Sequence, residues 1–100
     1  MAIRLGVIEY SRPTNPVGFD DVRHTLAMCG KDVIRLAWTS LNPDEDNDIK
    51  TNALKRWLVE FFNLKSYSDG SNCASILYEL NLLKKGRYNN SDYFRPTFDL

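Results

Sequence analysis

The sequence predicts an all-α fold, and three amphipathic stretches are the reason. Residues 49–62 place Ile49, Ala53, Leu54, Trp57, Leu58 and Phe61 along one side of a helix and Lys50, Lys55, Arg56 and Glu60 on the other. Residues 31–41 repeat the pattern with Val33, Ile34, Ala37, Trp38 and Leu41. A third stripe, Cys73, Ile76, Leu77, Leu80 and Leu83, leads into Lys84, Lys85 and Gly86, which suit the negative end of a helix and its exit.

The 100 residues carry 43% hydrophobic and 12% aromatic side chains, enough for one modest core, so a single domain over 1–100 is expected. Thirteen basic side chains balance thirteen acidic ones. With zero formal charge there is no global pull towards nucleic acid or an anionic membrane, and any charge-driven function must use local patches. The two cysteines, Cys29 and Cys73, are too few for a secreted disulfide scaffold. They are expected as small core residues in an intracellular protein. Charged and polar residues interrupt every apolar run before the roughly 20 residues of a membrane span, so no membrane insertion is expected.

From the start of the chain, Ile3, Leu5, Val7 and Ile8 alternate briefly, which suits a strand or a short helix, with β-branched content on the side of the strand. Two prolines and a glycine make residues 12–18 a loop. Asp20 or Asp21 then caps a helix that places Val22, Leu26 and Cys29 on one face, with Gly30 as its end. Asn42-Pro43 stops the next helix, and Asp44, Glu45, Asp46 and Asp48 precede the helix of residues 49–62, where its dipole favours negative charge. Asp69-Gly70 reads as a turn, Ser71 or Asn72 as the cap of a helix reaching about Lys85, and Asn90 or Ser91 as the start of a last short turn limited by Pro96. Four or five helices follow, with Leu26, Val33, Trp38, Leu54, Trp57, Leu58, Leu77 and Leu80 as the expected core.

Little in the sequence suggests catalysis. His24 is the sole histidine, which removes multi-histidine metal sites and most acid–base constellations. It stands five residues from Cys29 on one helix and so on a different side, leaving a Cys73–His24 pair to the fold. The acidic run lacks the glycine and terminal glutamate of a calcium loop, and there is no glycine-rich phosphate loop. No catalytic, cofactor or metal residue is assigned, no small-molecule substrate is expected, and the chain is expected not to be an enzyme. One nucleic-acid pattern remains as an alternative. The helices before and after Gly30 form a candidate helix–turn–helix that would offer Lys31, Arg35, Thr39 and Ser40 to a groove, with Asp32 among them opposing it. On balance no nucleic-acid partner is expected.

Together, the segments from Phe19 to Phe94 resemble a death domain, a six-helix antiparallel Greek-key bundle of cytoplasmic signalling adaptors. Phe19 stands where that family often has tryptophan, followed by Val22, Leu26 and Gly30 in a pattern similar to W-x-x-L-A-x-x-L-G. Asn42-Pro43-Asp44 resembles the loop into the fourth helix, and Ala53-Leu54-Lys55-Arg56-Trp57-Leu58 the core of that helix. Asn72 through Gly86-Arg87, with Asp92 after it, resembles the fifth helix and its exit. A death effector domain is a close second. The chain departs from the pattern at Phe19, in the long connection after Phe62, and at Pro96, which curtails a sixth helix. A first helix over 2–11 would be poor in helix formers.

The resemblance implies a core over 19–94 with a tail over 95–100. It also implies a cytoplasmic, non-enzymatic module that assembles with other death-fold proteins or with copies of itself in apoptotic or innate-immune signalling. A small helical inhibitor of unrelated ancestry is a further alternative. The partner-binding candidates are Asp44, Glu45, Asp46 and Asp48 on the acidic side and Lys50, Lys55 and Arg56 on the basic side, which could meet opposite patches on neighbouring molecules.

Overall fold

A computed structural model describes residues 2–5, 8–11, 19–42 and 47–100. The order of elements is β1 (Ala2–Leu5), β2 (Ile8–Ser11), α1 (Phe19–Leu41), β3 (Ile49–Lys50), α2 (Thr51–Phe62), α3 (Tyr67–Glu79), β4 (Leu83–Tyr88) and β5 (Ser91–Pro96). This is an α+β fold, and it overturns the six-helix Greek-key bundle. The first segment is the strand that its β-branched residues favour, in an antiparallel pair with Ala2 opposite Ser11 and Leu5 opposite Ile8, where the six-helix bundle would need a helix. The expected fifth helix survives as α3, but its last part and the expected sixth helix give way to a β-hairpin. The loop expected over 12–18, and Pro43 to Asp46, lie outside the described residues.

The two helices expected around Gly30 are one helix of 23 residues, bent at Cys29, where φ is −126° and ψ 21°. Gly30 does not end it. A Cβ there would lie 2.6 Å from Leu82 Cδ1 and 3.3 Å from Leu77 Cδ2, so the missing side chain lets α1 press against α3 and the segment after it. Val22, Leu26, Val33, Ile34, Ala37 and Trp38 form the buried side of α1. The Trp38 indole N–H donates to the carbonyl of Asn47 at 2.8 Å, tying the approach to β3 onto the helix.

Helix α2 follows the expected stripe from its second turn onward. Leu54, Leu58 and Phe61 are buried, while Ile49 and Lys50 belong to β3 rather than to the helix. Trp57, expected in the core, is only half-buried and stacks on Phe61 at 4.7 Å between ring centres. Asn63 ends α2 in the left-handed region at φ 53°, with the N–H groups of Asn63 and Leu64 returning to the carbonyls of Glu60 and Val59.

Helix α3 starts earlier than the sequence suggests. The Ser66 side chain accepts from the Asp69 N–H at 3.4 Å, and Asp69-Gly70 sits inside the first turns instead of forming a loop. It also ends earlier. Asn81 takes φ 64°, its N–H bonds to the carbonyl of Tyr78, and the Leu82 N–H bonds to that of Leu77, a Schellman ending. Leu80, expected in the core, is therefore 42% exposed, whereas Leu83 reaches the core from a strand.

Strands β4 and β5 pair from Leu83 opposite Pro96 to Tyr88 opposite Ser91. Asn89 and Asn90 form the two-residue turn between them at φ 49° and 64°, the doubly left-handed geometry that matches strand twist. β3 adds to the other edge of β5, giving the order β3-β5-β4. Gly86, expected at a helix end, lies inside β4. Phe94 and Leu83 place the sheet against the same core as Leu26, Leu54, Leu58, Phe62 and Leu77, and Phe98 packs beside it.

Candidate nucleic-acid interface

The four residues 63–66 join α2 to α3, and the hairpin follows α3 directly. The order is therefore helix, short turn, helix and antiparallel hairpin, with β3 entering the sheet ahead of α2. Gly70 permits the close crossing of the two helices. A Cβ there would stand 2.4 Å from the carbonyl oxygen of Lys55 and 2.7 Å from Val59 Cγ2.

Helix α3 buries Gly70, Cys73, Ala74 and Leu77. Its outer side carries Ser68, Asn72, Ser75 and Glu79, spaced so that all four fall on one exposed stripe. Short hydroxyl and amide side chains leave a helix slim enough to approach another surface and still able to hydrogen-bond it. At the start of α3 the Tyr67 hydroxyl donates to Asn52 Oδ1 at 2.6 Å and links it to the first turn of α2.

A groove of about 180 Å³ runs between this stripe and the hairpin, lined by Thr51, Lys55, Ser75, Lys85, Asp92 and Phe94 among others. Two lysines from distant parts of the chain, Lys55 and Lys85, thus flank Ser75. The Lys85 ammonium lies 4.7 Å from the centre of the Tyr78 ring, a cation–π contact that holds it near α3. Beyond it, Arg87 stands 4.0 Å from Asp92 across the hairpin, both largely exposed. Asp69 and Glu79 add negative charge to α3. Such carboxylates repel phosphate but accept from cytosine N4, so they select among partners more than they attract them.

The residues singled out in the sequence separate. Lys55 joins the groove, Lys50 lies exposed on β3, and Arg56 is exposed on α2. Asp48 meets none of these bases. Its carboxylate receives Arg95 Nε at 2.8 Å and Nη2 at 3.0 Å. Asp44, Glu45 and Asp46 lie outside the described residues. The earlier helix–turn–helix candidate is absorbed into α1. Arg35 pairs with Asp32 at 3.2 Å, Lys31 and Arg35 lie over the Phe98 ring, and the Thr39 and Ser40 hydroxyls donate to carbonyls of their own helix.

No family model, curated protein or solved structure matches this chain. Its function must therefore be read from the geometry. Both thiols are free and buried, and burial, with the charge of Asp69 second, pushes the Cys73 thiol up to about 12. A thiol held protonated is a poor nucleophile. Among the described residues no group of three or more His, Cys, Asp and Glu is placed to hold a metal, and no helix is long and apolar enough to cross a membrane.

Ser68 and Ser75 carry no signal in the sequence, and Asn72, Lys85 and Arg87 read there only as the cap, end and exit of a helix. The available signal was Asn89-Asn90, two residues tolerant of left-handed geometry between segments that pair as strands.

Proposed function

We propose that this chain binds duplex DNA, with α3 entering the major groove and the β4–β5 hairpin holding the adjacent phosphate backbone. The observation that supports this most is the slim polar stripe Ser68, Asn72, Ser75 on the second helix of a helix–turn–helix, flanked by Lys55 and Lys85. Asparagine can pair with the N6 and N7 edge of adenine through two hydrogen bonds, and serine serves either type of base edge. The cations supply the sequence-independent attraction. This reverses the expectation drawn from zero net charge, because what matters is the local balance: Lys55 of α2 with Lys85 and Arg87 on the α3 side of the hairpin stand against the single hairpin carboxylate of Asp92. Death-fold assembly drew its support from a six-helix bundle and loses that support with it.

Fluorescence anisotropy of labelled duplexes across a salt series tests the proposal. With Lys55, Lys85 and Arg87 as the phosphate contacts, log affinity should fall against log salt with a slope of about −3. Lys85→Ala should weaken binding to all sequences alike and reduce that slope by about 1, whereas Asn72→Ala should relax preference at one base pair. Absence of binding at low salt, or a Lys85→Ala variant identical to the parent, would overturn the proposal.

A further inference from the structure

The β4–β5 hairpin has a second face, turned away from α3, which duplex binding leaves unused. Strand alternation sets Lys84, Gly86 and Tyr88 on that side, beside Arg95, Tyr93 and Ser91 of β5 in register. Lys50 of β3 stands opposite Tyr93, so one row across the sheet is Lys50, Tyr93, Gly86. The next row is Asp48, Arg95, Lys84, with the Asp48 carboxylate fixing the Arg95 guanidinium through two hydrogen bonds.

A hollow of about 320 Å³ lies against these residues. Gly86 leaves it open, since a Cβ there would meet no atom within 4 Å. Tyr88, 70% exposed, and the half-buried Tyr93 bring two aromatic rings to it. On this face Lys84 and Arg95 bring two cations against the one carboxylate of Asp48, with Lys50 in the neighbouring row, while Lys85 and Arg87, which also line the hollow, belong to the α3 side of the strand. Flat rings beside a side-chain-free strand residue suit a planar ligand, and the charge calls for an anionic one. A nucleobase with its phosphate meets both requirements, as in the stacking surfaces and cationic grooves that hold unpaired strands. An acidic peptide would satisfy the cations and leave the rings without a partner.

We propose that this outer face of the sheet binds single-stranded nucleic acid, with a base stacked on Tyr93 over Gly86 and phosphates held by Lys84 and Lys50. The site uses different residues from the α3 stripe, so it stands or falls separately from duplex recognition.

The test is anisotropy at low salt with a labelled oligothymidylate of about 12 nucleotides, beside a blunt duplex of mixed sequence. Gly86→Leu puts a branched side chain into the hollow from a position where a Cβ meets no atom within 4 Å, and Tyr93→Val removes the ring while keeping a good strand former. Each should weaken oligothymidylate binding by about tenfold and leave duplex affinity within about twofold. Lys55→Ala, at a duplex phosphate contact outside the hollow, should do the reverse. Because Tyr93 is half-buried, melting curves accompany each variant, and the exposed Lys84→Glu provides a second route that spares packing. Oligothymidylate binding that is absent in the parent, or unchanged in both Gly86→Leu and Lys84→Glu, would overturn the proposal. Loss of duplex binding alone would overturn only the α3 assignment.

Discussion

Gly70 shows what single atoms decide in this fold. An added methyl would fall 2.4 Å from a main-chain oxygen of α2, and main chain cannot move aside as a flexible side chain can. Gly70→Ala should therefore destabilise by about 1–3 kcal/mol, read as a lower denaturation midpoint. Size counts for less than position elsewhere: Leu58 is fully buried, whereas Trp57 sits at the core's edge on Phe61. Leu58→Ala should cost about 2–5 kcal/mol, and Trp57→Ala less than that despite the larger side chain, in the same urea titration. Cys73 gives a pH dependence of defined sign. Its thiol titrates near 9.0 when unfolded and only at about 12 when folded, so the unfolded state binds fewer protons above pH 9. Stability from this group is intact below about pH 9 and declines as pH rises through about 12. Cys73→Ala should flatten that decline relative to the parent, since other groups titrating there are common to both.

At the level of elements, asparagine provides the punctuation. Asn63 and Asn81 close α2 and α3, and Asn89 with Asn90 turns the hairpin, all four at positive φ. Asn90→Gly should preserve or modestly raise the melting temperature, because glycine takes this geometry without strain. Asn90→Val should loosen the hairpin tip, seen as faster amide exchange in β4 and β5, with the core helices unchanged. These same residues explain what the sequence disclosed and what it concealed. The stripes of α1 and α2 were legible because deep burial imposes a helical period on Leu26, Val33, Trp38, Leu54 and Leu58. The hairpin was not, because Leu83 continues the spacing of Leu77 and Leu80 while entering the core from a strand, and because Gly86 resembles a helix exit. A search for glycine and proline at element ends overlooks Asn81, which terminates α3 and releases Leu82 and Leu83 to the sheet. Lys55 was picked out from the sequence for its charge. Ser75 has no such signal, and Lys85 reads as a helix end, since only the closed hairpin brings β4 alongside α3.

Taken whole, the molecule sets charge and hydrogen-bonding capacity where overall composition gives no sign of them. Neutral net charge permits a hairpin rich in cations because acidic residues lie elsewhere, among them Asp20, Asp21 and Asp32 on α1 and Glu60 on α2. Raising salt from about 50 to 200 mM should then reduce duplex affinity, with about three phosphate contacts giving a fall of roughly 40-fold. The central claim is that α3 and the adjoining face of the hairpin form the duplex-binding surface. Amide chemical-shift mapping of the labelled chain on adding a short duplex tests it most directly. The amides of Ser68, Asn72, Ser75, Lys85 and Arg87 should shift together, while those of Arg23, Ala27 and Ser40 on the exposed side of α1 stay in place. Shifts confined to α1, or none at all at low salt, would contradict it.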